Sequence, residues 1–373
     1  MASEVQSRCE RAQLFVLRNF LPLGFLVALV WALVWPFPGD AISEPEVEGF
    51  GVVSTINVVI IFLISGVTLK TDDIKKAMGK EGRWGYIYGV VSILGITGCM
   101  GFLVAEIPFD VEEFAYGLAI FCVVPTTISS GITLVANAGG NDALALLLTV
   151  TTNLLGVVTV PFFVKAVVNA GGAEIDAVDL LIKLIITVLV PLVIGKIFRE
   201  TVPGTKAWVK RWKRPLSLTS NFMIIMLVWQ TLSNSQEDIT SVAYDQILSI
   251  IAAGVALHLI YLSFNYTVCR FVLRLDRREF KAVVIMASQK TLPVSVTVIS
   301  FLGSVGEEGL MTIACIIGHL SQLFIDAYIS SRWAREAESD EDSGASAVTG
   351  TEMVGRKEDA EASSVGEKQE ADI

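Results

Sequence analysis

Two stretches of this 373-residue chain set proline among hydroxyl side chains inside otherwise apolar sequence. The first reads Val123-Val124-Pro125-Thr126-Thr127-Ile128-Ser129-Ser130-Gly131-Ile132-Thr133, the second Ala287-Ser288-Gln289-Lys290-Thr291-Leu292-Pro293-Val294-Ser295. Proline removes one helical hydrogen bond and frees a carbonyl, and Ser and Thr add oxygens beside it. An unwound stretch of this kind suits a hard cation such as sodium. The plainer alternative is a kinked helix whose hydroxyls bond back to its own carbonyls.

Ionisable side chains in apolar segments are costly and therefore informative. His258, Lys290, His319 and Asp326 lie well inside such segments, whereas Lys165 and Lys183 lie near segment ends and snorkel. The Lys290 ammonium, within the second polar stretch, needs an anionic or carbonyl partner. It binds a substrate's anionic group, occupies the place of a metal cation, or forms a structural pair, for example with Asp326. His319, Gln322 and Asp326 recur at spacings of three and four, on one helix face. His258, without a charged neighbour in its own segment, reads as satisfied packing. Thr149, Thr152 and Asn153 follow the first polar stretch, and Asn57 and Ser65 precede it; helix–helix hydrogen bonding explains both sets. The candidate cation- and substrate-binding set is Thr126, Thr127, Ser129, Ser130, Thr133, Thr149, Asn153, Ser288, Gln289, Lys290, Thr291, His319 and Gln322.

The elements that must position these residues follow from composition. The chain is 53% hydrophobic and 18% charged, with mean hydropathy +0.62, a profile of a multi-pass membrane protein and not of a soluble enzyme. Hydropathy predicts an all-α protein of ten transmembrane helices near 17–35, 51–69, 84–105, 114–136, 142–168, 179–198, 216–234, 245–269, 281–302 and 309–331. The loops after the first, third, fifth, seventh and ninth helices carry acids and no Lys or Arg. Those after the second, sixth and eighth are basic, with Lys75, Lys76, Lys210, Arg211, Arg277 and Arg278 among their charges. The positive-inside rule then puts both termini in the cytoplasm. Five helices per half, an odd number, make two inverted repeats, about 17–168 and 179–331. The polar stretches fall on the fourth and ninth helices, at matching positions of the two halves, an arrangement from which secondary transporters are built.

A cytoplasmic head, 1–16, precedes the ten-helix domain, 17–333. The segment 334–373 holds twelve acidic and four basic residues, a net −8 of the chain's −10. It reads as a disordered, solvated tail, with a regulatory partner as the sharper alternative and nothing to name that partner. A cleaved signal peptide is disfavoured, since losing the first helix would invert every loop's sign. Two histidines and unclustered cysteines give no transition-metal site, and no Walker-type loop or nucleophile elbow is present. The basic loops call for anionic lipid and orientation, not nucleic acid.

Phe62-Leu63-Ile64-Ser65-Gly66-Val67-Thr68-Leu69-Lys70-Thr71-Asp72-Asp73, the Pro125 to Gly131 stretch, Gly139-Gly140-Asn141-Asp142 and Ser288-Gln289-Lys290-Thr291-Leu292 resemble the bile acid:sodium symporter superfamily. The most similar branch is that of the seventh member of solute carrier family ten and of plant and bacterial sodium/metabolite cotransporter-like proteins. The resemblance covers about residues 15–335. It implies core and panel domains, broken helices 4 and 9, alternating access, and two sodium sites at the crossing of those helices. By position it gives Ser130, Thr149 and Gln289 as sodium ligands, so bound sodium is the one cofactor implied. Gly131 departs from an asparagine of the better-known symporters, Ala145 from a hydroxyl residue, and Leu320 from the branch's proline; no acid stands in the ninth helix. Lys290 occurs there instead, and an added ammonium weakens a cation site by Coulomb repulsion.

The sequence therefore predicts a secondary transporter, not an enzyme: a sodium-coupled symporter of an organic anion or related metabolite. The alternatives are a sodium-independent or proton-coupled carrier in which Lys290 replaces the cation, and a non-transporting regulator of ion homeostasis acting through the tail. Its expected partners are a small-molecule substrate, a coupling ion and the lipid bilayer. The plasma membrane is favoured, with Golgi, endoplasmic reticulum and plastid envelope open.

Overall fold

A computed structural model describes residues 16–17, 20–69, 83–128, 130–170, 175–303 and 305–336. The head's first fifteen residues, Ser129 and the acidic segment after Glu336 lie outside them. The described chain is almost entirely helical: α1 (Phe20–Val34), α2 (Phe37–Ser43) and α3 (Val52–Thr68), then α4 (Arg83–Ala105), α5 (Glu112–Val123), α6 (Ser130–Asn137) and α7 (Asp142–Ala170). There follow α8 (Ala177–Thr201), α9 (Thr205–Arg211), α10 (Lys213–Asn234), α11 (Gln236–Ser241) and α12 (Tyr244–Val272). The last are α13 (Arg277–Ser288), α14 (Leu292–Ile299) and α15 (Glu308–Glu336). A two-stranded hairpin, β1 (Glu46–Val47) and β2 (Phe50–Gly51), sits between α2 and α3.

Among the described residues, seven helices are long and apolar enough to cross a membrane: α4, α7, α8, α10, α12, the α13–α14 run and α15. An eighth arises if α1 and α2, bent by 98°, count as one. That bend falls at Trp35-Pro36, where proline cannot donate to the turn before it. Three of the long helices contain a π turn: Ser92–Ile96 in α4, Ile185–Leu189 in α8 and Val268–Val272 in α12.

Small residues let backbones meet. A Cβ on Gly66 of α3 would lie 2.1 Å from the Leu192 carbonyl oxygen of α8, and one on Gly195 of α8 would lie 2.3 Å from that of Leu63. Apolar helices in lipid gain packing from such close approach, because lipid tails offer no hydrophobic drive between them. Around the candidate site, Ile93, Leu144, Leu148, Val283 and Met286 form one buried apolar cluster joining α4, α7 and α13.

The last helix runs beyond the apolar sequence. Ala334, Arg335 and Glu336, placed in the tail by composition, continue α15. Trp333 packs on Phe280 with ring centroids 5.8 Å apart, and Glu336 lies 3.5 Å from Arg332 one turn back, contacts that extend the helix past the last apolar run.

Candidate membrane-embedded polar site

Both proline stretches leave helical geometry. α5 ends at Val124 in extended conformation (φ −74°, ψ 158°), and helix resumes with α6. α13 ends at Gln289 (φ −92°, ψ 149°), and Thr291 (φ −90°, ψ 120°) caps α14. Pro293 stands in the first turn of α14, where its missing N–H costs nothing. The two connections touch: the Thr291 N–H donates to the Pro125 carbonyl at 2.9 Å.

Lys290, fully enclosed at 0% exposure, donates from Nζ to the carbonyls of Ile93 (2.7 Å) and Val124 (3.0 Å). Val124 belongs to the first connection and Ile93 to the π turn of α4, whose winding departs from the i−4 pattern at that residue. Gln322 of α15 binds the Lys290 backbone twice, accepting from its N–H at Oε1 (2.8 Å) and donating from Nε2 to its carbonyl (2.7 Å). His319 Nδ1 lies 2.9 Å from the same Nε2. One amide thus satisfies both main-chain groups of a residue that has left the helix.

A second network surrounds Gln289. Its Nε2 donates to Asp326 Oδ2 (2.7 Å), and its Oε1 accepts from the Thr127 hydroxyl (2.6 Å). Asp326 Oδ1 is 2.9 Å from His258 Nε2, and His258 Nδ1 is 3.2 Å from the Ser288 carbonyl. Both ring nitrogens face acceptors. Asn265 adds a further layer, donating to Ser288 Oγ (3.1 Å) and accepting from Tyr88 (2.8 Å) and Ser92 (2.7 Å).

On the α5–α6 side, Thr126 donates to the Met286 carbonyl at 2.6 Å. Asn153 donates to the carbonyls of Thr126 (3.1 Å) and Thr149 (2.8 Å), while its Oδ1 is buried without a partner among the described residues. The Thr149 hydroxyl lies 2.9 Å from the Ala145 carbonyl and 3.4 Å from that of Thr127.

The sequence-derived set is thus largely gathered in one place: Thr126, Thr127, Thr149, Asn153, Ser288, Gln289, Lys290, Thr291, His319 and Gln322 are all buried around the two connections. Ser130 opens α6 and is half-buried, Thr133 faces outward from α6, and Ser129 is not among the described residues. One suggested pairing does not form. Lys290 does not pair with Asp326, because Gln289 and His258 occupy both carboxylate oxygens and the ammonium finds carbonyls instead. His258 is a satisfied buried histidine, and its partner Asp326 lies 68 residues away on another helix. Ile93 and Asn265 went unnoticed: a backbone carbonyl has no sequence signal, and one asparagine in an apolar run is a weak one.

The donor chemistry bears on a sodium ion. Neutral oxygens from Thr126, Thr127, Thr149 and Asn153 converge, and the unpaired Asn153 Oδ1 is a ready ligand. Against it, the Gln289 oxygen is already bonded, and a Cβ at Gly131 would lie 2.6 Å from Thr127 Oγ1 and 2.9 Å from Gln289 Oε1. An asparagine ligand at 131 has no room in this arrangement.

Membrane-length helices closed around a buried, charge-bearing polar centre define an integral membrane transporter. The chain belongs to the SBF-like CPA transporter family, whose profile matches residues 19–335. It is 36% identical over 330 residues to the "Probable sodium/metabolite cotransporter BASS4, chloroplastic" of Oryza sativa subsp. indica, covering 86% of this chain and 76% of that protein. Its counterpart of the same name in Arabidopsis thaliana is 35% identical over 329 residues, 86% and 74% of the two chains. The "Sodium/bile acid cotransporter 7" of Rattus norvegicus is 24% identical over 322 residues, 84% and 92%. The chain is accordingly a transporter of this family and not an enzyme.

Proposed function

We propose that the protein carries an organic anion or related metabolite by alternating access, with the Lys290 ammonium in the place of a coupling cation and flux independent of sodium. One observation carries this reading: Lys290 Nζ is held by the carbonyls of Ile93 and Val124, at 2.7 and 3.0 Å, as a metal ion would be. Coulomb repulsion from that ammonium opposes a second cation nearby. The architecture in this reading is ten spans in two inverted five-helix repeats, broken at the fourth and ninth. The seven long helices, α1, α3 and the α5–α6 pair supply ten segments in support. Both termini face the cytoplasm, following the basic loops.

A second reading, sodium-coupled symport with the ion near Ser130, Thr149 and Gln289, is favoured by the buried, unpaired Asn153 Oδ1. The cotransporter names of the relatives also point that way. Thermal unfolding of the purified protein in sodium against choline, at matched ionic strength, separates the two. A ligand that binds only the folded state must stabilise it. An upshift in sodium for Lys290→Ala alone supports the lysine-as-cation reading. An upshift in the wild type, lost in Thr149→Ala, supports sodium coupling and overturns it.

A further inference from the structure

A second cavity, of about 380 Å³, lies beyond α14 from the crossing, walled by the β1–β2 hairpin, α3, α8, α10 and the start of α15. α14 separates the two by roughly 12 Å, its eight residues rising about 1.5 Å each. The lining is mainly polar, and Thr55 of α3 contributes a buried hydroxyl without a hydrogen-bond partner. Three charged side chains line it: Glu46 of the hairpin, Lys183 of α8 and Glu308 of α15. Lys183 of α8 lies 3.0 Å from Asp179 and 5.6 Å from the centroid of the Phe301 ring, another wall of the cavity. Glu308 opens α15 on the same cavity, which Glu46 of the hairpin also lines; Glu307 precedes it, and among the described residues no ion pair joins it to a cation. A half-buried carboxyl among like charges holds its negative charge at a cost, which an approaching ammonium group relieves.

We infer that this cavity admits a small amphoteric solute, its carboxylate on Lys183 and its ammonium on Glu308. A purely anionic solute meets Glu46 and Glu308, and a purely cationic one meets Lys183; a molecule bearing both ends satisfies each wall. This rests on the transporter reading above and narrows its substrate class from organic anion to zwitterion. The cavity then serves as the entry site on the side of the acidic loops.

The test uses the purified full-length protein and ω-amino acids from glycine to 6-aminohexanoate, each compared with the carboxylate and the n-alkylamine of equal length. At least one ω-amino acid raises the unfolding midpoint, and its matched carboxylate and amine do not. Lys183→Met and Glu308→Gln each weaken its apparent affinity tenfold or more, whereas Asp110→Asn, outside the cavity, leaves it unchanged. The two cavity variants are independent, so one that folds poorly leaves the other to decide. No shift with any ω-amino acid, an equal shift with the carboxylate or amine alone, or full affinity in either folded cavity variant overturns the proposal. The sodium experiment on Lys290 reads a different residue and a different ligand, so failure of either proposal is distinguishable from failure of the other.

Discussion

The Lys290 ammonium lies 2.7 Å from the carbonyl of Ile93, a residue 197 positions earlier. The Thr97 hydroxyl, one turn on in α4, also binds that carbonyl, at 3.0 Å. The π turn of α4 and the non-helical connection after α13 are therefore one structural unit: the first offers the oxygen, the second the cation. Any motion that alternates access across this centre must break or carry that bond.

Lys290→Met removes the charge and keeps the length. Loss of the ammonium relieves its desolvation; the Ile93 carbonyl keeps the Thr97 hydroxyl and the Val124 carbonyl loses its donor at about 1–3 kcal/mol, so the two effects oppose one another. Flux is lost. Uptake into vesicles beside chemical unfolding of the same preparation reads both; a variant that still transports sinks the assigned role.

Gln322→Leu is expected to behave in the opposite way. It strips two hydrogen bonds from the Lys290 backbone (2.8 and 2.7 Å) in a fully buried setting, and each orphaned group costs about 1–3 kcal/mol. The loss shows as a lowered unfolding midpoint even without substrate.

Among the described residues, His258→Leu leaves the Asp326 carboxyl with Gln289 as its remaining hydrogen-bond partner. Breaking one partner of a buried pair costs about 3–5 kcal/mol, whereas replacing both by apolar side chains is often far milder. The double variant His258→Leu/Asp326→Leu is thus expected to unfold later than His258→Leu. Additive losses would show that the two side chains are not coupled.

Gly66→Val tests the α3–α8 crossing. The new Cβ meets backbone, the Leu192 oxygen, which cannot swing aside, and overpacking of this kind costs upwards of about 2 kcal/mol. Gly95, where an added Cβ meets nothing within 4 Å, is the control: Gly95→Ala is expected to be neutral. Size-exclusion profiles and melting curves in detergent distinguish them.

Burial, then the charges of Asp238 and Glu113, holds the Glu307 carboxyl above its ordinary value near 4.5. Its folded-state affinity for a proton exceeds the unfolded one, so its contribution to stability improves as pH falls from the raised value towards 4.5 and is lost again as pH rises. Glu307→Gln should flatten that part of the pH–stability curve. An unchanged slope would show that other acids dominate it.

The sequence by itself determined that the chain lives in a membrane, since 53% hydrophobic residues in runs near twenty long leave no other solvent for the helices. It also marked residues that the structure gathers around two breaks in helix. Proline with hydroxyls cannot sustain a regular helix, and Val124 and Gln289 are extended where those residues stand. Ionisable residues in apolar runs marked Lys290, His258, His319 and Asp326. What they bond to was beyond reach, because partners are chosen by which helices cross. Lys290 reaches Ile93 only because α4 takes a π turn beside it, and a π turn has no compositional signature. Asp326 meets His258 and Gln289 from two other helices, pairings that periodicity along one helix cannot express. The cavity holding Lys183 and Glu308 is likewise lined from residues 43–58, 183, 230–234 and 300–308, so only the tertiary structure placed both charges against one space.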